Sequence, residues 1–262
     1  MMKTKKKYRI GLALSGGGAK GFAHAGVLHA LEEAGIVPDI IAGTSAGAIV
    51  GAFYAAGIPP RQICEEFLKH DRKDFMKFSL LRAGLFSPQA TIEFLQKTLP
   101  VQEFEELKIP LRVVATDFDH GTYHVFEHGE LAPRVMASCC VPIFFEPIVI
   151  DGIHYLDGGL FKNFPVSVIR QECDMVIGVN VSPLVSEYKE NIKFIAERSY
   201  QYISKANTLH DKAACDILIE IEEALNYGMF DLEQALTIFD IGYQDIKRDI
   251  DSGVIDLQRL RQ

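Results

Sequence analysis

The chain of 262 residues has no tryptophan and only five cysteines: Cys64, Cys139, Cys140, Cys173 and Cys215. The count is odd and no C-x-x-C pair occurs, so neither a disulfide framework nor a zinc ribbon is indicated; reduced, mostly buried thiols are expected. There is no H-E-x-x-H segment or Cys/His cluster, and no metal is expected. Positive charge is also scarce. Lys and Arg number 27 against 35 Asp and Glu, a net charge of −8, the reverse of the basic footprint of a nucleic-acid binder. No window approaches the ~20 apolar residues of a membrane span. The basic start (Lys3, Lys5, Lys6, Lys7, Arg9) resembles the first part of a signal peptide, but the apolar run at 10–14 is cut short by Ser15 and three glycines. The expected location is the cytoplasm, peripheral on a membrane at most. The basic tail is either drawn to anionic headgroups or simply solvated.

What the chain does have is apolar residues, 48% of the total, enough for a sizeable core. Short apolar runs at 8–15 and 39–43 read as buried parallel strands, followed by helical patterns at 21–34 and 46–56. A strand, loop, helix, strand, turn and helix in that order point to a parallel sheet covered by helices. Further strands are predicted at 111–116, 123–126, 148–150 and 175–181, with a weaker candidate at 216–221. Further helices are predicted at 60–70, 88–99, 131–138, 165–172, 192–210 and 232–249. The fold expected is a three-layer α/β/α sandwich with a mainly parallel sheet and a helical C-terminal extension. There is no internal repeat and no low-complexity tract.

Three segments can carry chemistry. The first is Gly16-Gly17-Gly18-Ala19-Lys20-Gly21, between the first strand and the first helix. Glycines there let the backbone approach a ligand closely, and free N–H groups at a helix start favour negative charge, whether a phosphate or the oxyanion of an acyl-transfer intermediate. The loop also fits G-x-G-x-x-G, but the acidic residue needed at the end of the second strand is absent: Asp39 begins that strand and Gly43-Thr44-Ser45 end it. Phe22 follows the last glycine, where a phosphate-binding loop of the G-K-[ST] type needs Lys.

The second segment, Gly43-Thr44-Ser45-Ala46-Gly47, is G-x-S-x-G between a strand and a helix, the setting of a nucleophile elbow. A serine needs a base. The downstream histidines, His70, His120, His124, His128, His154 and His210, occupy no obvious catalytic loop apart from His154, and His24 and His29 precede the serine. The third segment, Asp157-Gly158-Gly159, places a carboxylate before two glycines. It reads equally as a base on a loop with backbone freedom or as a plain turn.

Taken together in this order, the three segments resemble the patatin-like phospholipase family, over roughly residues 10–181. The resemblance implies a Ser–Asp dyad with Ser45 as nucleophile and Asp157 as general base, and no cofactor. It implies an oxyanion hole in the Gly16, Gly17, Gly18, Ala19 loop, formed by the amides of Gly17, Gly18 and Ala19, with Lys20 where the family carries Arg or Lys. It implies supporting roles for Gly21, Gly43, Gly47, Gly158 and Gly159. Residues 137–142, Ala-Ser-Cys-Cys-Val-Pro, are similar to a structural block of the family. The domain layout that follows is a basic tail (1–7), a patatin-like catalytic domain (8–182) and a mainly helical extension packed on it (183–262). The implied substrate is a lipid ester: a phospholipid, lysophospholipid or acylglycerol. Phe75, Phe78, Leu80, Leu81, Leu85 and Phe86 form either a mobile lid and acyl-chain wall or ordinary packing. The rivals are an NAD-type oxidoreductase resting on the glycine loop, and a catalytically weak adaptor that docks partners through its charged C-terminal helices.

Overall fold

Residues 10–14 and 40–44 are buried without a break, as strands covered on both faces must be. The computed structural model describes residues 6–79, 83–182 and 192–255. Its strands are β1 (Tyr8–Leu14), β2 (Ile40–Thr44), β3 (Leu111–Asp117), β4 (Thr122–Phe126), β5 (Ile148–Ile150), β6 (Ile153–Asp157), β7 (Cys173–Asn180) and β8 (Ile217–Glu220). Its helices are α1 (Phe22–Glu33), α2 (Ala46–Ala55), α3 (Pro60–Leu68), α4 (Arg72–Phe75), α5 (Gln89–Thr98), α6 (Leu131–Ala137), α7 (Val166–Ile169), α8 (Ile192–Ala206), α9 (Leu209–Ala213) and α10 (Ala235–Asp251).

The strands β3-β2-β1-β7-β8 run parallel, and β4, β5 and β6 join antiparallel at the β3 end. Alternate side chains feed two cores. Ile10, Leu12, Leu14 and Ile41 face the larger one, with Leu28, Leu31, Val50 and Phe53 from α1 and α2. Ala13, Ile40 and Ala42 face the smaller one, with Phe164, Val166 and Ile169 on and beside α7. The result is the expected α/β/α arrangement with a mainly parallel sheet. Within α10, Ala235, Ile238, Phe239, Gly242 and Ile246 form a buried stripe at helical spacing that packs on α1. Burial of each large side chain in that stripe contributes about 1.5–3 kcal/mol. Among the described residues no helix is long and apolar enough to cross a membrane.

The register of β3 decides where chemistry can occur. Its residues 113–117 pair with β4 along one edge. Residues 111–114 pair with β2, and 115–117 with β6, so these two strands share the opposite edge and meet end to end. Thr44 sits opposite Val114, and Asp157 opposite the next residue, Ala115.

Three local differences from the sequence reading have physical causes. β6 is a strand where none was predicted; it is joined to β5 by the two-residue turn Asp151-Gly152, both with positive φ (52° and 81°), as a tight hairpin requires. The single helix predicted at 192–210 is two, α8 and α9, separated by Asn207 and Thr208. Helix α7 covers only part of 165–172.

Candidate active site

At the end of β2 the chain turns sharply into α2, and Ser45 has φ 52° and ψ −122°, a conformation L residues rarely adopt. Such strain costs on the order of 1–3 kcal/mol and persists only where the surroundings enforce it. Here they do. A Cβ on Gly47 would lie 2.3 Å from the Leu14 carbonyl oxygen, so the elbow closes against β1 only with glycine at that position. The Ser45 amide donates to Ser138 Oγ at 2.7 Å, and Ser138 Oγ donates to the Val114 carbonyl at 2.5 Å. The buried Ser138, from the segment after α6, thereby ties the elbow to β3.

The meeting of β2 and β6 brings Ser45 to Asp157. Ser45 Oγ donates to Asp157 Oδ2 at 2.6 Å. The other carboxylate oxygen, Oδ1, accepts from the Gly159 amide and from the Tyr200 hydroxyl, each at 2.7 Å. Thr116 Oγ1 holds the Asp157 carbonyl at 2.8 Å. With 1% of its surface exposed, Asp157 is desolvated, which raises its pKa to about 6 despite the hydrogen bonds from Ser45, Tyr200 and Gly159 that lower it. A carboxylate so tuned accepts a proton near neutral pH, which an ordinary Asp does poorly.

The glycine loop leaves β1 beside this pair. The Gly16 amide donates to the Asn163 carbonyl at 3.0 Å, and the Ala19 amide to the Met229 carbonyl at 2.8 Å. Those two amides are therefore occupied, whereas the amides of Gly17 and Gly18 have no protein acceptor among the described residues. Gly18, at φ 61°, turns the backbone into the 3₁₀ turn that leads to α1. Lys20 and Gly21 are buried within that turn. Gly43, Gly158 and Gly159 all sit where backbone or a neighbouring side chain leaves no room for a Cβ.

Loop, serine and carboxylate line one cavity of about 160 Å³, whose wall includes Phe75, Met76, Val141, Phe145, Met229 and Phe230. Of the apolar cluster noted in the sequence, Phe75 is in this wall, while Phe78 and Leu85 are exposed. Phe86 stacks between Phe78 and the cavity-lining Phe145, with ring centroids 5.4 and 6.0 Å away. Leu80 and Leu81 lie outside the described residues, as do Lys3 and Lys5 of the basic tail.

No histidine hydrogen-bonds to Ser45. His24 is fully buried with Nε2 against the Ser15 carbonyl at 2.8 Å, and burial lowers its pKa to about 4. His154 pairs with Asp119. Cys139 lines the cavity, but burial beside Asp157 pushes its thiol well above the ordinary range, which leaves it protonated and unreactive. Among the described residues no group of three or more His, Cys, Asp or Glu is placed to hold a metal.

Comparison with known proteins gives consistent results. Residues 12–169 match the profile of the family described as patatin-like phospholipase. An NTE family protein of Mycobacterium bovis is 33% identical, over 66% of this chain and 49% of its own length. The YqhO protein of Bacillus subtilis is 34% identical, over 68% of this chain and 74% of its own. Human patatin-like phospholipase domain-containing protein 6 is 31% identical, over 62% of this chain and 12% of its own. The chain thus spans about half the length of its mycobacterial relative and a small part of the human one. Among solved structures, VipD from Legionella pneumophila has the same fold, with a TM-score of 0.55 at 17% identity over 94% of this chain and 67% of its own.

Proposed function

This chain belongs to the patatin-like phospholipase family, and on that premise we propose that it is a serine acyl hydrolase of lipid esters, working through Ser45 and Asp157. One observation carries the proposal: Ser45 Oγ donates to Asp157 Oδ2 at 2.6 Å, inside an apolar cavity, with no histidine between them.

The reaction is two acyl transfers. Asp157 Oδ2 takes the proton of Ser45 as Oγ bonds to the ester carbonyl carbon, and the carbonyl oxygen becomes an oxyanion. The amides of Gly17 and Gly18, without protein acceptors among the described residues, donate to it. An oxyanion donor of this kind stabilises a transition state by about 2.7–4 kcal/mol. The carbon–oxygen bond to the alcohol then breaks and Asp157 protonates the leaving oxygen. Water attacks the acyl-serine, giving its proton to Asp157, which returns it to Ser45 Oγ as the carboxylic acid leaves.

The aromatic and methionine lining beside Ser45 suits an acyl chain of a phospholipid, lysophospholipid or acylglycerol. Such a substrate enters from a lipid surface, and the exposed Phe78, Leu85 and Ile143 lie in series with the cavity wall through Phe86 and Phe145. Peripheral contact with membrane follows from this, and no cofactor takes part in the scheme.

Labelling with a fluorophosphonate and locating the adduct by mass spectrometry tests the dyad. A single adduct on Ser45 is expected, absent in Ser45→Ala and much slowed in Asp157→Asn. A native protein that stays unlabelled even with lipid micelles would sink the proposal and favour the adaptor alternative.

A further inference from the structure

The two oxygens of Asp157 have different partners. Oδ2 faces Ser45, while Oδ1 is held by the Gly159 amide and by Tyr200 Oη. Tyr200 belongs to α8, beyond the family-matched span that ends at residue 169.

Tyr200 does not act alone. Ser204 Oγ donates to the Gly159 carbonyl at 3.1 Å. Asn207 Nδ2 donates to the carbonyls of Gly159 and Leu160 at 2.9 and 3.2 Å, and its Oδ1 accepts from the Asn163 amide at 2.8 Å. The spacing of 200, 204 and 207 is four and then three residues, so Asn207, the first residue past α8 and still bonded to the Ile203 carbonyl, continues the face that carries Tyr200 and Ser204. That face grips the loop that follows the base. Gly159 fits the grip because a Cβ there would lie 2.3 Å from Tyr200 Oη.

We propose, on the premise of the Ser45–Asp157 dyad, that Tyr200 is a positioning residue: it fixes the carboxylate rotamer so that Oδ2 meets Ser45, and holds Asp157 in its charged, proton-accepting form. A half-buried phenol suits this role. Burial and the adjacent carboxylate keep its pKa well above the ordinary value, so it remains an O–H donor at any working pH. A hydrogen bond donated to a carboxylate favours the anion, and Tyr200 is one of three such donors opposing the burial that drives Asp157 upward. The other titratable groups facing Asp157 are the thiols of Cys139 and Cys140, both neutral through burial; Lys20 lines the same cavity.

The test is the pH profile of 4-nitrophenyl butyrate hydrolysis, alongside the pH profile of fluorophosphonate labelling. In Tyr200→Phe the ring packing is retained. Its kcat at pH 7 falls roughly tenfold with KM nearly unchanged, and the acid limb moves upward by about one unit. Activity therefore recovers partly above pH 8. A 3-fluorotyrosine at position 200 is a stronger donor of nearly the same shape, and moves the limb downward. Asn207→Ala, which removes bonds to the 159–163 loop without touching Tyr200, lowers the melting temperature without moving the limb. An unmoved limb in both Tyr200 variants, with Ser45→Ala and Asp157→Asn inactive, overturns the role of Tyr200 and leaves the dyad intact. Full activity in Ser45→Ala overturns both.

Discussion

Ser138 accepts the Ser45 amide at 2.7 Å and gives its own proton to the Val114 carbonyl, so one hydroxyl locks the strained elbow to the neighbouring strand. Both bonds are buried. Ser138→Ala leaves a buried amide and a buried carbonyl unpaired, and unfolding in urea should show a loss of about 1–3 kcal/mol. Because the elbow loosens while the cavity stays intact, kcat should fall more than KM rises.

Activity should disappear on acidification with an apparent pKa near 6, the value to which burial raises Asp157. The protonated acid cannot accept the Ser45 proton, so the lost limb is the acidic one. A pH–rate profile of kcat/KM checks this, and a limb near pH 4 would show an unperturbed carboxylate.

The same burial makes Asp157 costly to fold. Its native pKa lies above the ordinary 3.8, so its contribution favours folding below about pH 4 and is lost as pH rises through 6. A shift of about two units corresponds to about 3 kcal/mol. Asp157→Asn escapes that cost. Comparing denaturant unfolding at pH 4 and pH 7, the inactive variant should gain on the native protein by about this amount at the higher pH.

A Cβ on Gly17 would lie 2.7 Å from Val181 Cγ2 and 2.9 Å from Ser182 Oγ. Gly17→Ala should push its amide out of line and reduce kcat about 10²- to 10³-fold, with little change in KM. Steady-state kinetics on a soluble ester, with a thermal melt as control, separates displaced geometry from unfolding.

Phe78 is 81% exposed and rests on Phe86. Phe78→Ala should leave the melting temperature within a degree or two, since surface changes of this kind cost at most about 0.5 kcal/mol. It should reduce turnover of vesicle substrate more than turnover of a monomeric short-chain ester. Equal loss on both would make Phe78 a packing residue.

Much of the site was legible because its parts are local. The pattern G-x-S-x-G needs only a strand before it and a helix after it, and buried apolar runs announced β1 and β2. Asp157 was ambiguous, since Asp-Gly-Gly spells a turn as readily as a base. What settles its neighbourhood is β6, a short strand whose His154 and Tyr155 break any clear apolar run. The available signal was Asp151-Gly152, a hairpin dipeptide between two apolar triplets. In the sequence the Ala19 amide looks as available to an oxyanion as those of Gly17 and Gly18, and no local pattern reveals that Met229, far along the chain, occupies it. Tyr200, Ser204 and Asn207 are invisible for the same reason: their spacing marks a helical face, but only the folded chain shows what that face touches.

The end-to-end meeting of β2 and β6 also bears on how the protein is made. Ser45 and Asp157, the proposed nucleophile and base, are 112 residues apart, and nothing local brings them together; they meet only when β3 has zipped to partners from both directions. Contacts of such long sequence separation close late and slowly. On the proposed mechanism, reactivity at Ser45 is an inherent clock for refolding: a half-assembled chain carries an idle serine, and its first attack on a probe marks the moment β2 and β6 have both docked on β3.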